Sequence, residues 1–294
     1  MRARQLEVFC AIMREGSLTS ASKALNTSQP ALSQLLRHAE QQLGFALFKR
    51  IKGRLVPTPE AQELYPEADR LFHDLEALRR RTNDLKTGRR GLVRMAASAP
   101  PAMSLVPRAL ALFRARYPEI VVRSQIAPLD SLISMLTHGD VNLALCMSGE
   151  QFAGLHTENL GQVGFVCLMP DNHPLANQKA PLRFEHLQDE PLIAYRHATL
   201  PGRLLAQKAQ REGVIYRPEI EIDMSISAPS FVQAGLGVAI VDALLPWEGF
   251  QGLRAHPFAP DLILPISLLT RAERELSIAE ALMRDNLREA CSGP

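Results

Sequence analysis

Three sets of side chains in this sequence could carry recognition chemistry. Gln29, Ser33 and Arg37 recur at i, i+4 and i+8, so a helix would carry them on one face. Gln can pair with adenine, Arg with guanine or a phosphate, and Ser with either. Arg50, Lys52 and Arg54 alternate on a two-residue period around Gly53, which on a hairpin turns three cations to one side, as gripping phosphates requires. Ser98, Ser148, Arg196, His197 and Asp242 each stand just after a short apolar run. An arginine there suits a carboxylate by a two-pronged contact, and hydroxyls with an acid would complete a site for an amino acid or related zwitterion. Each set also has a plainer reading. A polar helix face is ordinarily just solvated, and Ser98 and Asp242 could simply cap the helices that follow them.

Bond-making chemistry finds no support in the motifs. There is no GxSxG, no P-loop and no HExxH. GLGVAI (235–240) imitates a dinucleotide fingerprint, but its sixth residue is Ile240 and it precedes an apolar strand-like run instead of following one. Cys10, Cys146, Cys167 and Cys291 are scattered with no CxxC or Cys/His spacing for zinc, so neither metal nor cofactor is expected. Cys146 and Cys167 lie in the apolar runs NLALCM and FVCLM, where a thiol usually packs inertly. A redox pair formed by these two is an alternative reading, and an α/β enzyme fused to the N-terminal segment is another.

The elements that would position these residues can be read from periodicity. Leu6, Phe9, Cys10 and Met13 repeat at i, i+3, i+4, i+7 and stop at Gly16, which predicts a first helix. Ser17 is a good N-cap for a short helix from Leu18 to Leu25. After Asn26-Thr27-Ser28, the spacing of Leu32, Leu35, Leu36, Ala39 and Leu43, with Pro30 in the first turn, predicts a third helix ending near Gly44. Two short helices joined by three polar residues form a helix-turn-helix, whose second helix lies in the major groove of DNA. FALFKRIKGRLVPTP then alternates apolar and basic residues as a hairpin would, a wing beside the reading helix.

From Pro59 onward, Leu64, Ala68, Leu71, Leu75, Leu78, Thr82 and Leu85 are spaced 4, 3, 4, 3, 4, 3. A heptad seam of this kind buries itself against another helix, so Leu64, Leu71, Leu75, Leu78 and Leu85 are expected to pair with a second copy of the chain. Two recognition helices on a twofold axis would read an inverted repeat. Pro66 predicts a kink or a late helix start. The run ends in the polar, glycine-bounded segment Lys86–Gly91.

Beyond it strands and helices alternate: LVRMAAS, a helix from Ala102 to Arg116, Ile120 to Ile126, a helix from Leu129 to His138, and NLALCM. A second series runs through FVCLMP, PLIAY, a helix from Pro201 to Glu212, EIEID, a helix from Ser227 to Ala234, and VAIVD, before ISLLT and a closing helix from Ile278 to Ala290. Such series predict parallel sheets in two lobes with a ligand cleft at the carboxyl ends of strands. The expected division is 1–58 for the winged helix-turn-helix, 59–87 for the linker helix and 88–294 for a two-lobed α/β domain. Its first lobe takes about 92–162 and 266–294, its second about 163–265.

Composition agrees with several soluble domains: 294 residues, 46% hydrophobic and 22% charged. No run approaches a membrane span, and Glu7 and Arg14 interrupt the N-terminal apolar stretch, so no signal peptide and a cytoplasmic location are expected. The net charge of +2 is unevenly spread. Residues 1–91 hold 16 Lys and Arg against 10 Asp and Glu, and the rest 17 against 21, which puts positive charge where nucleic acid would need it.

The stretch from Gly16 to Ala61 resembles the N-terminal domain of LysR-type transcriptional regulators. The resemblance is carried by Thr19 to Leu25, Ser28-Gln29-Pro30-Ala31-Leu32-Ser33, Leu43-Gly44, Leu47-Phe48-Lys49-Arg50 and Leu55-Val56-Pro57-Thr58-Pro59. YPEI (117–120), HPLA (173–176) and AGLGVAIVD (234–242) extend it more loosely over the remainder. It implies that Thr27, Ser28, Gln29, Pro30, Ser33 and Arg37 face the groove and that Arg50, Lys52 and Arg54 sit on the wing. It also implies an effector domain similar to periplasmic solute-binding proteins, dimers and tetramers that bend promoter DNA, a working contact with RNA polymerase, and an effector of the amino-acid, opine or small-carboxylate kind.

Overall fold

Ser17 and Ser28 show how local chemistry starts the fold: each side chain accepts a backbone N–H three residues on, from Ser20 and Ala31, supplying donors at a helix start with the partner they would otherwise lack. The computed structural model describes residues 1–51, 54–86, 91–259 and 261–292, and the chain divides into two units, Met1–Thr87 and Gly88–Pro294. Among the described residues no helix is long and apolar enough to cross a membrane.

The first unit contains α1 (Ala3–Glu15), α2 (Leu18–Ala24), α3 (Gln29–Leu43), the hairpin β1 (Phe48–Ile51) and β2 (Arg54–Pro57), and α4 (Pro59–Lys86). Gly16 and Gly44 end α1 and α3 in the left-handed conformation, where a residue without a Cβ fits at no steric cost. Asn26, at φ 49°, makes the equivalent bend between α2 and α3. Val8, Phe9, Ile12, Ala21, Leu32, Leu36, Leu47 and Ala68 fill one core. Hence α4 begins as part of this unit, and the Arg14 guanidinium on α1 fastens to the Asp69 carboxylate at 2.6 Å while lying over the Phe72 ring.

That packing corrects the heptad expectation. Ala68 is buried and Leu64 half-buried against the unit's own core, because the first turns of α4 cover α1. Leu71 and Leu78 are instead 55% and 57% exposed, with Leu75 half-buried; the side chain of Leu85 lies outside the described residues. The late start expected at Pro66 does not occur, since α4 runs from Pro59 with Pro66 inside it.

The second unit contains β3 (Leu92–Ala97), α5 (Ala99–Met103), α6 (Leu105–Arg116), β4 (Val121–Ile126), α7 (Leu129–Thr137), β5 (Leu143–Cys146), β6 (Leu155–Val163), β7 (Phe165–Pro170), β8 (Leu192–Tyr195), α8 (Leu200–Glu212), β9 (Ile220–Ile222), α9 (Ala228–Gln233), β10 (Val238–Asp242), β11 (Leu253–Phe258), β12 (Leu264–Arg271) and α10 (Ile278–Ser292). They form two five-stranded sheets, ordered β4-β3-β5-β12-β6 and β11-β7-β10-β8-β9. β4, β3 and β5 run parallel, as do β10, β8 and β9. The parallel sets expected from the alternation are present, and antiparallel strands extend each of them: β12 runs antiparallel to β5 and β6, and β7 to β10 and β11. β6 and β11 leave no clear apolar signature. β6 reads LHTENLGQV and is mostly half-buried or exposed, so an apolar-run search passes over it. Among the described residues the chain passes from one sheet to the other between β6 and β7 and returns between β11 and β12.

Each lobe has its own core. Leu143 and Leu145 on β5 meet Phe113 of α6 and Met283 and Leu287 of α10, while Leu168, Ile193 and Ile240 meet Leu205 of α8 and Phe258. α10 is anchored by Glu280, whose carboxylate takes two hydrogen bonds from the Arg274 guanidinium at 2.9 and 3.1 Å and one from Ser277 N–H at 2.8 Å.

Candidate functional site

The first candidate surface is α3 with the hairpin. Taking about 100° per residue, Leu32, Leu36 and Ala39 point inward and are buried. Gln29, Pro30 and Arg37 are exposed and Ser33 is half-buried. Gln34 was not among the sequence candidates, yet it is exposed on the same outward face as Pro30 and Arg37, a placement a wheel centred on the apolar stripe would have found. In the turn, Ser28 is exposed and Thr27 half-buried, and Thr27 Oγ1 accepts a hydrogen bond from the Arg4 guanidinium at 3.2 Å. The hairpin is tied to α3 by Glu40, whose Oε1 accepts the N–H groups of Leu47 and Phe48 at 2.8 and 3.2 Å. Thr58 adds a bond to the Ala46 carbonyl at 2.9 Å. Arg50 on β1 is exposed, with Lys49 exposed next to it in sequence. The register sets Arg50 opposite Leu55 and Ile51 opposite Arg54, so Arg50 and Arg54 do not fall in one cross-strand row and the single cationic side expected from the two-residue spacing is not formed. Lys52 lies outside the described residues, as does the side chain of Arg54.

The second candidate is a cavity of about 630 Å³ in the second unit. It opens where the parallel strands of both sheets end: Ser98 follows β3, Ala127 and Pro128 follow β4, Ser148 follows β5, Arg196 follows β8 and Asp223 follows β9. The carboxyl ends of parallel strands are where open α/β sheets leave a crevice. α8 closes one wall, and its approach depends on Gly202, where a Cβ would collide with the Arg196 carbonyl. The Thr199 side chain caps α8 by accepting the Gly202 N–H at 3.1 Å.

Ser98, Ser148 and Arg196 therefore come together on one cavity. Ser98 stands at the N-cap position of α5, as its plainer reading had it, but its buried Oγ makes no capping bond and has no hydrogen-bond partner among the described residues. Ser148 is buried, and its Oγ accepts the Glu150 N–H at 3.2 Å. Arg196 pairs with Asp223 at 2.7 Å, and Arg203 of α8 with Glu150 at 3.0 Å. Asp223, Glu150 and Arg203 were missed by the sequence reading: Asp223 ends the EIEID run as Asp242 ends VAIVD, a signal that would have found it, whereas Arg203 on α8 has no strand-end position to mark it.

Two expected residues stand elsewhere. His197 is exposed and does not line the cavity. Asp242 is fully buried behind it, where its carboxylate accepts the Tyr195 hydroxyl at 2.7 Å and the Leu244 N–H at 3.0 Å. Asp242 is thus linked to the cavity through its hydrogen bond with Tyr195, which lines it. Burial, and next the Asp242 charge, holds the Tyr195 hydroxyl well above the ordinary phenol range, so it stays a donor to the carboxylate.

The redox alternative fares poorly on the same grounds. Cys146 belongs to one sheet and Cys167 to the other, both buried. Burial pushes the Cys146 thiol up to about 12 and the Cys167 thiol well up. The reactive thiolate is therefore scarce near neutral pH. Alkylation of the native protein at pH 8 is expected to reach Cys291, which is partly exposed, before either of these; peptide mass mapping would show the order, and fast labelling of Cys146 and Cys167 would revive the redox reading.

Comparison with known proteins agrees with this architecture. Residues 3–62 match the family described as bacterial regulatory helix-turn-helix protein, lysR family, and residues 86–292 match the LysR substrate binding domain. The HTH-type transcriptional regulator DgcR of a Pseudoalteromonas species is 30% identical over 278 residues, covering 94% of this chain and 95% of its own. The transcriptional activator protein LysR of Escherichia coli is 30% identical over 278 residues, covering 93% of this chain and 88% of its own. Full-length CbnR, crystallised in complex with its target DNA, shares the fold with a TM-score of 0.73 at 19% identity, covering 99% of this chain and 100% of its own. With a helix-turn-helix unit matched over residues 3–62 joined to a two-lobed α/β unit matched over residues 86–292, the chain belongs to the LysR family of DNA-binding transcription regulators with an effector-binding domain.

Proposed function

We propose that this regulator reads an inverted-repeat operator as a dimer and responds to a zwitterionic effector of the amino-acid or opine type held between its two lobes. The observation that carries the effector class is the charge on the cavity wall. Three acids, Asp130, Glu150 and Asp223, face two arginines, Arg196 and Arg203. Both arginines are already paired with acids. A bare carboxylate would meet a surplus of negative charge, whereas a zwitterion offers a carboxylate to Arg196 and an ammonium to the acids. The unpartnered Ser98 Oγ supplies a hydroxyl for the same carboxylate. An ammonium that engages Glu150 also competes with Arg203, which sits on α8. This is a route from effector to a movement of one lobe and, through the dimer, to the spacing of the reading helices.

On the DNA side, Gln29, Pro30, Ser33, Gln34 and Arg37 are the groove-facing set, with Thr27 and Ser28 at the entrance and Arg50, Lys52 and Arg54 on phosphates. Leu71, Leu75, Leu78 and Leu85 form the intersubunit seam. Assembly into tetramers, contact with RNA polymerase and a cytoplasmic setting are part of the same reading and follow from the family's transcriptional role.

Calorimetric titration of the full-length protein tests the effector class. An α-amino acid, its des-amino carboxylate and its amide would be compared. Binding of the zwitterion alone is expected, and Arg196→Ala should weaken it about tenfold or more, since a bond to a charged group is worth about 1.5–3 kcal/mol. Equal binding of the des-amino carboxylate, or an indifferent Arg196→Ala variant, would overturn the assignment.

A further inference from the structure

The wing grips only one side of α3, and the opposite side carries a second basic feature. Glu40, which holds β1, and His38 stand roughly 160° apart around the helix. Pro30, Gln34, Arg37 and Gln41 project between them, and the buried leucines lie behind. On the His38 side, the N-terminus of α1 meets α3 and leaves a cavity of about 490 Å³, lined by Arg2, Arg4, His38, Gln41 and Gln42 among others. All five of these side chains are exposed. They present guanidinium, imidazole and amide donors, and no carboxylate lines the cavity among the described residues. The Arg4 guanidinium is oriented by Glu7 at 2.6 Å and Thr27 at 3.2 Å, and Thr27 belongs to the turn that leads into α3. This concavity is therefore fastened to the reading helix rather than placed at random on the surface.

We propose that this concavity binds a backbone phosphate of the operator, on the groove wall opposite the one held by the wing. A helix about 10–12 Å across fills a major groove about 12 Å wide, so phosphates of both strands flank it. A protein that clasps only one wall leaves the helix free to roll. Arg2 and Arg4 on one side, with Lys49 and Arg50 on the other, set the angle at which Gln34 and Arg37 meet the base edges. The contact carries no sequence information itself, and it adds to the salt dependence of binding.

Because a phosphate contact is indifferent to sequence, the test needs no known operator. Full-length protein is titrated onto random-sequence duplex DNA by fluorescence anisotropy across a salt series. Replacing Arg2 and Arg4 together by alanine should weaken binding and make the slope of log affinity against log salt shallower by about 0.9 for each phosphate lost. Gln42→Glu, which places an acid in the concavity, should weaken binding as well. Arg4→Lys should keep the wild-type slope, because it keeps the charge while losing the forked contact to Glu7 and Thr27. A double alanine variant with the wild-type slope overturns the proposal, as does an Arg4→Lys variant as impaired as Arg4→Ala, which would mark Arg4 as structural only. The proposal rests on α3 being the reading helix, so Arg37→Glu, whose new acid on the outward face repels phosphates of any sequence, is run beside it. If Arg37→Glu weakens binding and the arginine pair does not, this proposal alone fails. If neither matters, the assignment of α3 fails too.

Discussion

Replacing Leu71 and Leu78 together by lysine is expected to convert the regulator into a monomer that no longer holds its operator. Both leucines stand more than half exposed on α4, seven residues apart. Large apolar groups on a helix ridge at that spacing gain by meeting their copies. Burying a leucine fully is worth about 1.5–3 kcal/mol, so the half still exposed is worth about 1 kcal/mol. Four such side chains in a pair contribute about 4 kcal/mol, roughly a thousandfold in the dimer constant, before the repulsion of the new charges is counted. Loss of the pair also separates two half-site contacts that bind DNA together. Analytical ultracentrifugation gives the mass directly, and Leu64→Lys is the informative contrast. Because Leu64 packs against its own unit, that change should lower the stability of the first unit and act on dimerisation only through it. A double lysine variant that remains dimeric would remove α4 from the interface.

Glu280→Ala should destabilise the effector unit by about 3–5 kcal/mol, the usual cost of removing one partner from a buried ion pair. Glu280 is 2% exposed and holds both the Arg274 guanidinium and the Ser277 N–H at the start of α10. Alanine leaves a nearly buried guanidinium without its acid and frees a helix-end donor, while α10 contributes Met283 and Leu287 to the first lobe's core. Glu280→Gln can still accept from Ser277 and should lose less. The chain has a single tryptophan, Trp247, buried in the second unit with its indole N–H on the Asp242 carbonyl at 2.7 Å. Its fluorescence therefore follows the unfolding of this unit, and a denaturant midpoint unchanged in Glu280→Ala would show that the pair contributes little.

Legibility in the sequence followed the range of the interactions. α1, α2 and α3 were readable to within a residue or so because caps, glycine stops and a 3.6-residue stripe are local signals. β3, β5, β7, β8 and β10 were readable as apolar runs. β6 and β11 were not, since a polar strand is made by its neighbours in the sheet and not by its own pattern. The helix expected from Ala102 to Arg116 is two, α5 and α6, broken at Ser104, whose hydroxyl bonds the Pro100 carbonyl at 2.7 Å. The heptad on α4 was visible, but its division between an inward part at Leu64 and Ala68 and an outward part at Leu71 and Leu78 depended on where α1 lies.

The recognition residues with which the sequence began divide along the same line. The order of residues by itself determined the helix-turn-helix, the outward position of Gln29 and Arg37, and three positions on the cavity of the second unit, Ser98, Ser148 and Arg196, because a helix repeat and a strand end place side chains by covalent geometry alone. Only the tertiary structure decided what those side chains meet. It paired Arg196 with Asp223, turned Asp242 away behind Tyr195, and brought Arg2 and Arg4 alongside His38 and Gln42. Charges and hydroxyls remote in sequence become neighbours only when buried cores fix the sheets and helices that carry them, and the net charge of a site is a property of that meeting.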